Sequence, residues 1–109
     1  MAQDFLHDAV IASLLKDNWI ITHDPFELRA YDPSWQIDLG AERIIGASKN
    51  RTRIAVEVKS FLASSFANEF HSVLGQYLNY KSGLSRVDPD RTLFLAVPIE
   101  IFETEFKTQ

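Results

Sequence analysis

The sequence predicts an α/β domain in which a central mixed sheet is flanked by helices, and three observations carry that prediction. Residues 35–42, WQIDLGAE, and 53–60, RIAVEVKS, alternate apolar and polar side chains as a sheet surface requires. Helical periodicity stands on either side of them, near residues 4–16 and 64–83. A further apolar run, 91–99, follows the second helical stretch, and a helix between two strands permits a parallel crossover.

Taken in order, Asp4 precedes Phe5, Leu6, Ala9, Val10, Ile11, Ala12, Leu14 and Leu15, which run unbroken to Asp17-Asn18. This reads as a helix with Asp4 as its N-cap. Its apolar residues surround much of the circumference, so the helix is expected to be mostly covered, by the sheet or by a partner. His7 and Asp8 read as a partly exposed imidazole beside a first-turn acid favoured by the helix dipole. Residues 19–22, WIIT, form a short β-prone run ending at His23-Asp24-Pro25, where the proline drives Asp24 out of helical geometry. His23 and Asp24 are expected to satisfy local backbone groups there. Residues 26–31 then pair as strand, Asp32-Pro33-Ser34 turns, and the run from Trp35 returns, making a hairpin.

Beyond Gly40 the chain continues through Ile44 and Ile45 to a polar hairpin tip, Ser48-Lys49-Asn50-Arg51-Thr52-Arg53. Ser64 and Ser65 offer N-caps for a second helix running to about Gly83. Phe66, Phe70, Val73, Leu74, Tyr77 and Leu78 form its packing stripe, and Glu69, Val73, Gln76 and Tyr80 line one edge of it. Gly83 and Asp88-Pro89-Asp90 break that helix. Residues 91–99, RTLFLAVPI, read as a central buried strand with Pro98 marking its end. Ile101, Phe102 and Phe106 suggest a short terminal helix with an exposed apolar patch, which predicts a partner or a second copy of the chain.

At 109 residues and 46% hydrophobic, the chain is expected to be one domain, 1–109, with a single core. A formal charge of -4 argues against coating nucleic acid by bulk electrostatics, while leaving room for a local basic patch. With no cysteine there are neither disulfides nor thiolate metal sites. The start, MAQDFLHDAV, has no basic region leading into a long apolar run, and no segment approaches the ~20 apolar residues of a membrane span. A cytoplasmic location and no membrane association are the expectation.

The chemistry concentrates on the two alternating runs. In a strand, Ile54, Val56 and Val58 share one face while Glu57 and Lys59 stand on the other. The same alternation puts Trp35, Ile37 and Leu39 on one face and Gln36, Asp38 and Gly40 opposite, so Asp38 joins Glu57 and Lys59 if the strands pair. Mg²⁺, or Mn²⁺, takes one or two carboxylates and completes its shell with water and phosphate oxygens, and Asp38 with Glu57 would supply that set. A neighbouring lysine can orient an attacking water or offset charge building on a phosphate. Glu57 and Lys59 would equally serve as a cross-strand ion pair. Lys49, Arg51 and Arg53 make the densest basic cluster, the place to look for phosphate contacts.

An Asp followed about twenty residues later by Glu-x-Lys on a strand resembles the PD-(D/E)XK nuclease superfamily, with Ile37 where a proline often precedes the Asp. More specifically, HDAV, DNWIITHDP, IDLGAE, IAVEVKSF, EFHSVLGQYLNY and DRTLFLAVP are similar, in order and nearly end to end, to the XisH family of fdxN element excision controlling factors of cyanobacteria. The resemblance implies a restriction-endonuclease-like three-layer fold and an accessory role in site-specific DNA rearrangement during heterocyst differentiation. It implies an XisI-like partner, DNA, and a separate recombinase that performs the rearrangement. Carried over residue by residue, it implies a nuclease-like site at Asp38, Glu57 and Lys59, with Gln76 of GQYLNY pointing back into it. It also implies that family members continue past the LAVP strand further than this chain does. The alternative function is an active Mg²⁺-dependent DNA endonuclease.

Overall fold

The computed structural model describes residues 2–47, 50–61 and 65–106. Its elements run α1 (Ala2–Lys16), β1 (Ile20–His23), β2 (Phe26–Leu28), β3 (Trp35–Ile37), β4 (Leu39–Ile45), β5 (Asn50–Val58), α2 (Phe66–Val87) and β6 (Arg91–Ala96). A helical turn, Ile99–Ile101, and a wider π-helical turn, Phe102–Phe106, follow. Four strands form one mixed sheet in the order β1-β4-β5-β6, with β1, β4 and β5 antiparallel in turn. β6 lies parallel to β5 because α2 carries the chain back across the sheet. β2 and β3 make a separate hairpin through the predicted turn at Asp32-Pro33-Ser34, with Phe26 opposite Ile37.

The sheet is covered on both faces. Ile54, Val56 and Val58 of β5 join Leu39 and Ala41 of β4 beneath Leu6, Val10, Ile11 and Leu14 of α1. On the other face Ala55 and Leu93 meet Tyr80 and Leu84 of α2, together with Phe26, Leu28 and Ile37 of the hairpin. This is the expected α/β architecture of a central mixed sheet between helices. Among the described residues no helix is long and apolar enough to cross a membrane.

Several local expectations change. α1 begins at Ala2, so Asp4 lies within it rather than capping it. One side of the helix packs on the sheet, but Phe5 remains 79% exposed and Leu15 is also exposed, because a single sheet face can bury only one stripe. Residues 35–42 are not one strand. The chain bends at Asp38, so Ile37 enters the core under α2 while Leu39 enters the core under α1, instead of sharing a face. Gly40 makes room for that bend: a Cβ there would sit 2.9 Å from His23 Nδ1 and from Phe26 Cδ2.

α2 starts with Ser65 as N-cap, its hydroxyl accepting from Asn68 N at 3.4 Å, whereas Ser64 lies outside the described residues. Gly83 does not end this helix. It is buried where α2 crosses the hairpin, and a Cβ would come within 2.9 Å of Leu28 and Tyr31 side chains, so the glycine permits close approach and the helix runs on to Val87. β6 lies at the edge of the described sheet rather than its centre, with Phe94 51% exposed. In the tail, Phe106 folds back among Phe61, Phe66 and Phe70 with ring centroids 5.7–6.0 Å apart. Only Phe102 of the three tail residues is left exposed, while Ile101 is partly buried.

Candidate functional site

Because Ile54, Val56 and Val58 are committed to the α1 core, alternation sends Glu57 to the opposite face of β5, under the α2 side. The β4–β5 register pairs Leu39 with Val56, which brings Asp38, at the bend, beside Glu57. The contact is reciprocal. Val58 N donates to Asp38 Oδ2 at 2.7 Å, and Asp38 N donates to Glu57 Oε1 at 3.2 Å. Lys59 Nζ stands 4.0 Å from Glu57 Oε2. Lys59 also lines a recess of about 90 Å³ with Ser60 and Glu69.

Glu57 is only 6% exposed. Burial first, then the charge of Asp38, pushes its carboxyl up to about 7, against the opposing effects of the Asp38 N–H and Lys59. Near neutrality a substantial fraction of Glu57 is therefore protonated.

Tyr80, one turn along α2 from Gln76, closes the site from above. It donates to Gln36 O at 3.1 Å and accepts from Gln76 Nε2 at 2.9 Å. Burial, followed by the charges of Glu57 and Asp38, pushes its phenol up to about 12. The sequence places Tyr80 on the same helix edge as Gln76 but assigns it no role. Its i,i+4 spacing from Gln76 is the signal that could have found it. Gln76 is thus on the site's face and bonded to Tyr80.

Of the predicted basic cluster, Lys49 lies outside the described residues. Arg51 Nη1 meets Glu42 at 3.0 Å, and Arg53 Nη2 meets Asp88 at 3.1 Å and Asp90 at 3.9 Å. Arg53 is four residues from Glu57 along β5, roughly 13 Å, so these cations stand at the other end of the strand. His7 Nε2 and Asp24 Oδ1 pair at 2.8 Å, tying α1 to the turn before β2. Asp24 thus engages a side chain where a local backbone group was expected. His23 contacts Thr22 and packs edge-on against Phe26.

The donor set suits a hard divalent cation. Each carboxylate commits one oxygen to a backbone N–H, which fixes its orientation, and a cation would offset the burial and the Asp38 charge that together raise Glu57. Among the described residues no group of three His, Cys, Asp or Glu side chains is placed to hold an ion. A metal at Asp38 and Glu57 would therefore complete its shell with water and phosphate oxygens, as Mg²⁺ does.

Fold and site together define a three-layer α/β protein with a carboxylate pair where the central strand meets a bend. The family model described as XisH protein matches residues 1–109, and the chain belongs to the XisH family. Two solved structures share its fold. The crystal structure of an XisH family protein from Nostoc punctiforme PCC 73102 is 40% identical with a TM-score of 0.80, over 95% of this chain and 77% of that one. That of an fdxN element excision controlling factor protein from Anabaena variabilis is 42% identical with a TM-score of 0.82, over 96% of this chain and 77% of that one. Among curated proteins none matches the chain.

Proposed function

We propose that this protein is an fdxN element excision controlling factor, an accessory protein of site-specific DNA rearrangement that meets DNA phosphate through a divalent cation held by Asp38 and Glu57. Family membership and the 42% identity to the Anabaena variabilis excision factor support the biological role. The observation that carries the chemical reading is the reciprocal hydrogen bonding of Asp38 with β5, which holds two carboxylates together beneath α2. Like charges held in contact are unfavourable unless a cation or a proton sits between them. The resemblance to PD-(D/E)XK nucleases points the same way.

When bound, Mg²⁺ or Mn²⁺ would supply charge neutralisation at a phosphate. Around it, Asp38 and Glu57 offer oxygens, Lys59 offers a cation on the strand's outer end, and Tyr80 shields the pair from above. Arg51 of β5, together with Lys49 just before it in the sequence, adds phosphate contacts of low sequence preference. The protein acts in the cytoplasm with an XisI-like partner, and the recombinase that exchanges strands is a separate protein.

A second reading, an active metal-dependent endonuclease, is favoured by the proximity of Lys59 to Glu57, since that cation could orient a water or stabilise charge on the phosphate. One experiment separates the readings. Plasmid and branched oligonucleotide DNA are incubated with wild type and with Asp38→Ala, in Mg²⁺, Mn²⁺ or chelator. Metal-dependent binding without cleavage, lost in Asp38→Ala, is the accessory outcome. Cleavage lost in the same variant is the nuclease outcome. Binding that is identical in chelator and in Asp38→Ala contradicts both.

A further inference from the structure

Beside the carboxylate pair, α2 and β3 enclose an open polar groove of about 520 Å³, a volume in the range of small-ligand sites. Trp35, Gln36, His71, Ser72, Gln76 and Asn79 line it. We propose that this groove takes one unstacked base of single-stranded DNA whose own phosphate lies toward Asp38 and Glu57. The proposal rests on the reading of that pair as the DNA-facing site.

Placement is the first argument. Gln36 is two residues before Asp38, roughly 7 Å along an extended chain. Tyr80 joins the two regions directly, since it lines the groove, bonds Gln36 and Gln76, and feels the charges of both carboxylates. Groove and pair are therefore neighbours on either side of the buried Tyr80 side chain.

Chemistry is the second. A base has a flat π face and an uncharged edge of donors and acceptors, and the groove offers one large ring with amide, hydroxyl and imidazole groups around it. Among the described residues no Asp, Glu, Lys or Arg lines it. That absence of fixed charge disfavours a phosphate or a carboxylate as occupant and suits a neutral heterocycle. Trp35 is held in advance: it stacks on Tyr31 at 4.0 Å and meets Tyr80 edge-on at 5.9 Å, while Tyr31 OH donates to Asn79 O at 2.8 Å. In a duplex the faces of the bases are stacked away, so a ring of this kind is reached by an unpaired base.

The third argument is Gly75. It sits exposed in the interior of α2, where alanine would be the better helix former, and a Cβ there would meet nothing within 4 Å. Among the described residues no packing contact requires this glycine. It does keep the groove floor bare.

The test uses the full chain with Ca²⁺ in place of Mg²⁺, and fluorescence anisotropy of labelled 12-nucleotide probes. The probes are an intact single strand, an abasic sugar-phosphate strand of equal length, the corresponding duplex and, as competitor, a mononucleotide. Wild type is expected to prefer the intact strand over the abasic one about 5- to 100-fold, the worth of stacking one base. Gly75→Leu, which fills the groove and retains a good helix former, is expected to keep or raise the thermal midpoint while losing that preference. Asn79→Ala, at an exposed position, is expected to weaken the preference without unfolding the protein. Equal affinity of wild type for intact and abasic strands overturns the proposal. So does a Gly75→Leu protein with full preference, a duplex that binds as well as the single strand, or a mononucleotide that binds as tightly as the strand. If Asp38→Ala binds the abasic strand as wild type does but retains the base preference, the carboxylate reading falls and the groove stands.

Discussion

The two ends of β5 present the same face toward the α2 side and treat charge in opposite ways. At the start, Arg53 meets Asp88 at 3.1 Å, and Arg91 meets the same carboxylate at 2.8 Å. Arg91 also donates to Ile54 O at 2.9 Å and lies over the Phe26 ring at 4.7 Å. Every charge there is answered by an opposite charge, a carbonyl or a π face. At the far end, Asp38 and Glu57 are held against each other, and Lys59 stands 4.0 Å away. One cluster closes the fold where α2 hands over to β6; the other is held in a state that the fold alone does not favour. Burial beside a second carboxylate, with Lys59 at 4.0 Å, is the environment that keeps the Glu57 carboxyl protonated to higher pH.

The contrast breaks most visibly at the answered end. Asp88→Ala would leave the buried Arg91 guanidinium without its carboxylate and should lower stability by about 3 kcal/mol, measured by urea denaturation. A loss below about 1 kcal/mol would mean that this cluster is no more structural than a surface pair.

The opposite sign is expected at Glu57. Its pKa in the folded protein, about 7, lies above the ordinary 4.5. Between those values the folded state binds more protons than the unfolded one, so stability falls as pH rises through that window and stays low above it. In chelator, wild type should lose up to about 3 kcal/mol between pH 4.5 and pH 8 through this group. Glu57→Gln, neutral throughout, should be the more stable protein at pH 8. Denaturation midpoints that move in parallel for the two proteins across this range would remove the argument.

The smallest effect is expected at the hairpin. Arg51 is exposed and already meets Glu42, so Lys49→Ala with Arg51→Ala should change stability by less than about 0.5 kcal/mol. The same double variant should weaken DNA binding a few-fold and reduce the dependence of log affinity on log salt by about 1 to 2. An unchanged salt slope would make the hairpin a solvated turn.

What could be read in the sequence follows from which rules are local. Alternation along 53–60 placed Ile54, Val56 and Val58 in one core and Glu57 with Lys59 opposite them, because a strand's period does not depend on its neighbours. Asp32-Pro33-Ser34 announced its hairpin for the same reason. The bend at Asp38 was not legible, since it arises where the hairpin folds onto Gly40, a contact between segments. Gly83 looked like a helix end, and only the crossing of Leu28 and Tyr31 explains it as a close approach. β6 is apolar enough for a central strand, yet its place in the sheet is set by the crossover. Phe106 finds Phe61, Phe66 and Phe70 by the same kind of tertiary route. Tyr80 was visible as a helix-edge aromatic, but its role needs Gln36 and the carboxylates beside it.

The central claim is that Asp38 and Glu57 hold their unfavourable contact for a divalent cation, and calorimetric titration tests it most directly. Mg²⁺ or Mn²⁺ added to wild type at pH 7 should give a weak, saturable heat in the millimolar range. That heat should vary with the ionisation enthalpy of the buffer, because binding displaces the proton that Glu57 carries near its pKa of about 7. Asp38→Ala should give no such heat. Equal heats from wild type and Asp38→Ala at millimolar metal would contradict the account.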